Sequence, residues 1–119
     1  MPHISVTLTK NLHPITDWTS LLRDLNLHLS IQDPNINAKD CKARLIVTDA
    51  HHLGTDDTTI DYIHVELHLL SGRSIELKTQ LANAVSQLLF EKIQANFNQK
   101  FELTCNIIEM QRETYIKLK

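Results

Sequence analysis

The sequence predicts an α+β fold: two β-α-β units sharing one four-stranded sheet, with both helices on one face. Three observations lead there. Four segments alternate apolar and polar residues with a period of two, and two longer segments repeat apolar residues at helical spacing. These segments run β-α-β then β-α-β, in stretches of similar length covering about residues 1–50 and 60–110. A chain of 119 residues, 42% of them hydrophobic, is the size of a single domain (residues 1–119) with its own core.

Ile4, Val6 and Leu8 alternate with Ser5, Thr7 and Thr9, which predicts a half-buried strand over about residues 3–9. Asn11 to Pro14 reads as a turn. From Asp17 the period becomes helical, with Trp18, Leu21, Leu22, Leu25 and Leu29 on one face and Pro34 beyond the end. Asp33 to Asp40 is a polar connection. Ala43, Leu45 and Val47 mark a second strand, which opens on Lys42 and Arg44. His51 to Thr59 is a polar loop around Gly54, and both its histidines read as solvated. Ile63, Val65, Leu67 and Leu69 alternate with Tyr62, His64, Glu66 and His68 in a third strand. Gly72-Arg73-Ser74 turns the chain into a second helix, with Ser74 suited to its N-cap. Leu77, Leu81, Val85, Leu89 and Ile93 keep helical period to about Asn96, Phe101 to Met110 is a fourth strand, and Gln111 to Lys119 is a tail with Tyr115, Ile116 and Leu118 as anchors. A parallel pair joined through a crossover helix is expected within each unit. The opposite sheet face, carrying His64, Glu66 and His68, is expected to pack against copies of the chain.

Composition narrows the function. A net charge of −2, with three Phe, two Tyr and one Trp, argues against a nucleic-acid surface. There is no long apolar run and no signal peptide pattern, so a soluble, cytoplasmic protein without a membrane role is expected. Cys41 and Cys105 lack zinc spacing and are too few for a disulfide framework; both read as buried thiols. Nucleophile motifs, phosphate loops and paired-carboxylate motifs are absent from the sequence.

The candidate site begins at Met1-Pro2-His3. A small second residue favours removal of the initiator methionine, which would leave Pro2 a free secondary amine. An α-amino group titrates near about 8 in isolation, and burial or a neighbouring cation lowers that value because each disfavours the charged form. Pro2 then serves as a general base near neutral pH. If Met1 stays, Pro2 carries an amide nitrogen and the base does not exist. Arg73 precedes a helix N-terminus, where a cation costs roughly 0.3–1 kcal/mol but where free N–H groups attract anions; it either shares a carboxylate with them or is an exposed loop arginine. Lys42 and Arg44 share a strand face and either hold a polycarboxylate or guard a sheet edge. His64, Glu66 and His68 also share a face, but a polar interface suits them better than a metal, which wants aimed ligands and a second shell.

Met1-Pro2-His3 opening a strand, together with Gly72-Arg73-Ser74-Ile75-Glu76-Leu77-Lys78 opening the second helix, resembles the tautomerase superfamily, and within it 5-carboxymethyl-2-hydroxymuconate isomerase. The likeness extends through nearly the whole chain. It implies a homotrimer, an amino-terminal proline as base, no cofactor, and cytoplasmic catabolism of aromatic compounds. It places Pro2 as the catalytic proline, with Arg73, Arg44 and Lys42 binding a small anionic dienol carboxylate. Lys42 departs from the family's arginine there, keeping the charge but losing the bidentate fork. The loop from His51 to Thr59 also differs. Alternatives are a tautomerase of another enol acid, such as phenylpyruvate, and a non-catalytic trimeric binding protein of the same fold.

Overall fold

The computed structural model describes residues 1–119. Strand β1 (His3–Thr9) leads through a 3-10 segment (Lys10–Ile15) into helix α1 (Trp18–Gln32), and strand β2 (Lys42–Thr48) follows. Strand β3 (Asp61–Leu70), helix α2 (Ile75–Gln94) and strand β4 (Phe101–Met110) repeat that order. The sheet runs β2-β1-β3-β4, with β1 parallel to β2, β3 parallel to β4, and the two units meeting along the antiparallel seam between β1 and β3. No helix is long and apolar enough to cross a membrane.

Alternation decides the faces. Ile4, Val6 and Leu8 of β1, with Ile63, Val65, Leu67 and Leu69 of β3, are almost fully buried beneath the helices. Trp18, Leu21, Leu25 and Leu29 of α1 meet Leu81, Val85, Leu89 and Ile93 of α2 and that sheet face in one continuous core. Each fully buried aliphatic side chain contributes about 1.5–3 kcal/mol of transfer free energy. Two helices cover the middle of a four-stranded sheet best, so Ala43 and Leu45 on edge strand β2, and Leu103 and Ile107 on edge strand β4, are only partly buried. Leu22, expected on the buried face of α1, is likewise half-buried.

The helix ends follow from local chemistry. Asp17 caps α1, its carboxylate accepting from the Ser20 backbone N–H and, at 2.8 Å, from the Ser20 hydroxyl. Ser74 caps α2, its hydroxyl accepting from the Leu77 N–H at 3.2 Å. The expected turn from Asn11 to Pro14 is wound into the 3-10 segment, and Trp18 pins it by donating its indole N–H to the carbonyls of Leu12 and His13.

Two expectations are corrected. Cys41 and Cys105 are half-buried rather than buried, because both lie under the margins of the helical layer. Burial pushes both thiols up, which leaves them poor nucleophiles. His51 is not solvated: its side chain is 11% exposed, its Nε2 lies 3.7 Å from Asp61 Oδ1, and its ring meets Tyr62 edge-on. Asp61 also accepts from the Thr9 hydroxyl at 2.6 Å, so the loop before β3 folds back onto a buried carboxylate. His52 remains exposed, its ring within hydrogen-bond distance of the Asp56 carbonyl.

Candidate active site

The topology collects four distant segments at one end of the sheet. Register places His3 beside Lys42 and His68, so β1 and β2 begin where β3 ends. Leu70 pairs with Met110, so β4 ends there too. The C-terminus of α1 and the N-terminus of α2 complete the same end. A cavity of about 530 Å³ opens between them, lined among others by Pro2, Asp33, Ile36, Asp40, Arg73 and Arg112.

Pro2 is buried, and its carbonyl accepts from the Lys42 backbone N–H at 3.0 Å, which fixes the start of β1 against β2. With Met1 in place the nitrogen of Pro2 is an amide, and the chain's amine sits one residue further out, with Met1 also lining the cavity. That amine is held below its ordinary value, first by burial and then by the charges of Arg73 and Lys42; Asp40 opposes the effect and Arg112 adds to it.

Arg73 occupies the turn expected of it, between Gly72 and the Ser74 cap. Gly72 has φ +121°, a backbone conformation that side-chain-bearing residues rarely adopt. This bend aims Arg73 back across the end of α1. Its Nε donates to Asp33 Oδ2 at 2.9 Å and its Nη1 to the Leu70 carbonyl at 3.3 Å, leaving Nη2 without a partner in the chain. Asp33 is buried, and its other carboxylate oxygen accepts from the Asn35 N–H at 3.0 Å. Arg73 is therefore neither an exposed loop arginine nor a free cation. It is an oriented donor whose charge is balanced by a buried carboxylate.

Lys42 and Arg44 share a face as the strand period requires, but it is the sheet face away from the helices, and neither lines the cavity. Lys42 is close enough to influence the terminal amine. Arg44 reaches across β1, with Nη1 donating to Ser5 Oγ at 3.1 Å and Nη2 lying 2.8 Å from His3 Nδ1. An arginine donates only, so His3 accepts at Nδ1 and donates from Nε2 to the Tyr115 hydroxyl 3.0 Å away. His3 is held below its ordinary value, first by burial and then by the Arg44 charge. On the same face His64 Nδ1 meets Thr104 Oγ1 at 2.7 Å and His68 Nε2 lies 3.7 Å from Glu66. No group of three or more His, Cys, Asp or Glu side chains converges in the chain.

The structure brings Pro2 and Arg73 to one cavity, which Asp33 and Arg112, not singled out in the sequence, also line. A signal for Arg112 existed. If β3 and β4 pair in parallel and end together, the residues just past each end are neighbours, which sets Arg112 beside the Gly72-Arg73 turn.

The sequence model of the 5-carboxymethyl-2-hydroxymuconate isomerase family matches residues 2–119. The chain belongs to that family. Among solved structures, a 5-carboxymethyl-2-hydroxymuconate isomerase from Deinococcus radiodurans R1 is 26% identical, covering 98% of this chain and 88% of its own, with a TM-score of 0.82. A 5-carboxymethyl-2-hydroxymuconate delta-isomerase superposes with a TM-score of 0.85 at 13% identity, over 100% of this chain and 89% of its own. A fused 4-OT symmetric trimer shares the fold at 19% identity, covering 90% and 85% of the two chains with a TM-score of 0.64. No curated protein matches in sequence. Membership in the isomerase family, and with it the tautomerase superfamily, agrees with the resemblance read from Met1-Pro2-His3 and Gly72-Arg73-Ser74.

Proposed function

We propose that this chain is a cofactor-free isomerase of dienol carboxylates such as 5-carboxymethyl-2-hydroxymuconate, with Pro2 as general base after removal of Met1. The observation that supports this most directly is the placement of buried Pro2 in one cavity with Arg73. Removing Met1 would clear part of that cavity and move the amine onto Pro2, among the charges that already depress the terminal amine.

In the proposed reaction the Pro2 nitrogen takes the proton of the 2-hydroxyl group as the electron pair moves through the conjugated system. The Pro2 ammonium so formed delivers that proton to a carbon further along, which restores the free amine and leaves the conjugated ketone as product. No electrons leave the substrate. Arg73 Nη2 faces the 2-oxygen and stabilises the charge that develops there, a donor already oriented by Asp33. Lys42 lies outside the cavity lining, but its charge reaches the terminal amine and favours an anionic substrate. Arg44 joins substrate binding only by leaving His3 and Ser5.

The family resemblance supports a homotrimer with a place in aromatic-compound catabolism in the cytoplasm. The uncovered sheet face and the open edges of β2 and β4 suit a closed symmetric assembly. Sedimentation showing a stable monomer at micromolar concentration would rule the trimer out.

The deciding experiment compares protein with a native terminus against protein with one extra residue before Pro2, both confirmed by mass, on 5-carboxymethyl-2-hydroxymuconate. The extended protein is expected to be inactive yet equally assembled, because its nitrogen is an amide. Equal activity in the two removes Pro2 as the base.

A further inference from the structure

Four charged side chains line the cavity, and three of them are neutralised from within the chain. Asp33 and Arg73 form an ion pair at 2.9 Å. Asp40 lies 3.4 Å from the Lys117 ammonium. Arg112 alone has no carboxylate partner. Its Nη2 donates to the Ser71 carbonyl at 2.9 Å and lies 3.8 Å from where a Cβ on Gly72 would stand. The guanidinium is thus anchored by one corner across the turn that presents Arg73, and its Nε and Nη1 make no hydrogen bond in the chain. The anchor is part of the fold: Ser71 N–H donates to the Met110 carbonyl at 3.0 Å, tying the exits of β3 and β4 together two residues before Arg112.

The two arginines therefore differ in kind. Arg73 with Asp33 is a neutral pair that offers a directed N–H and suits an oxygen gaining charge during reaction. Arg112 brings a full positive charge to the cavity and an open edge of its planar fork, which matches a carboxylate through two parallel N–H bonds. We propose that Arg112 is the specificity-determining residue of this cavity, gripping a carboxylate of the substrate remote from the reacting carbons and so selecting polycarboxylate over monocarboxylate enols. This inference rests on reading the cavity as the site of enol isomerisation.

The test separates binding from turnover. Calorimetry would follow two non-reacting anions, propane-1,2,3-tricarboxylate and phenylacetate, titrated into the native protein, Arg112→Gln and Arg112→Lys. The glutamine variant is expected to weaken tricarboxylate binding at least tenfold and phenylacetate binding less than twofold, with lysine restoring part of the loss. In turnover, Arg112→Gln is expected to raise KM for 5-carboxymethyl-2-hydroxymuconate about tenfold with kcat within twofold, and to change kcat/KM for the enol of phenylpyruvate less than threefold. Tricarboxylate binding that is absent from the native protein, unchanged in Arg112→Gln, or lost equally with phenylacetate overturns the assignment. The binding arm needs no reaction, so a protein inert toward both enols would refute the isomerase reading while the calorimetry still decides Arg112.

Discussion

Replacing Asp33 by Asn tests the ion pair around which the cavity is built. The change keeps size and shape, and the amide oxygen can still accept from the Asn35 N–H. It removes the charge facing Arg73 and sets an amide nitrogen toward the guanidinium. At the observed 2.9 Å, two unit charges attract by about 5.7 kcal/mol at an effective dielectric of 20 and about 1.4 kcal/mol in bulk water. The side chains are 3% exposed for Asp33 and 16% for Arg73, so the first figure is nearer, reduced by what water still reaches the guanidinium. Breaking such a pair from one side leaves an uncompensated charge and costs about 3–5 kcal/mol, against about 0–1 kcal/mol for an exposed pair. Urea unfolding of native protein, Asp33→Asn, Arg73→Met and the double variant, all at one protomer concentration, closes the cycle. The double variant is expected to be more stable than Asp33→Asn alone, because it no longer buries an unpaired guanidinium. A loss below about 1 kcal/mol for Asp33→Asn, or simple additivity of the two changes, would refute the claim that Arg73 depends on Asp33.

Three further outcomes are expected. In methionine-free protein the amine of Pro2 should titrate below its ordinary value, so kcat/KM should rise with pH through that lowered ionisation and then level; a profile flat down to pH 5 contradicts an amine base. Because the folded state holds His3 below its ordinary value, the unfolded chain binds more protons between the two values, and stability should rise with pH across that window and be lost as pH falls through it; His3→Gln should flatten this slope in pH-dependent denaturation. Gly72→Ala meets only an ordinary contact at 3.8 Å, so its cost should come from the backbone at φ +121°, about 1–3 kcal/mol in thermal unfolding, with weakened tricarboxylate binding as the turn shifts.

Most of the fold was legible because it is written in short-range periodicity. The bounds of β4 and the Ser74 cap follow from alternation and one hydroxyl, and tertiary packing did not overrule them. In the candidate site, the sequence pointed only to residue types that announce themselves, such as Pro2 and Arg73, which the structure brings to one cavity. Asp33 reads as a polar residue after a helix, and nothing near it in sequence reveals that it meets Arg73, forty positions on. Arg44 shows the limit of parity arguments. Period two put it correctly on a face with Lys42, but which neighbour it would reach depended on strand order, and the structure sets it against His3 and Ser5. The half-burial of Cys41 and Cys105 depended similarly on how far two helices spread across four strands.

The segment joining the two β-α-β units, residues 49–60, crosses at the end of the sheet opposite the cavity, where β2 finishes and β3 begins. Pro2 and Asp33 belong to the first unit; Arg73 and Arg112 belong to the second. Neither unit contains the cavity by itself, and the covalent link between them is as far from it as the sheet allows. A chain cut at exposed Gly54 should therefore behave as a two-fragment enzyme. Its activity would report re-pairing of β1 with β3 directly, appearing only when both pieces are mixed and growing with their concentration until the seam is saturated.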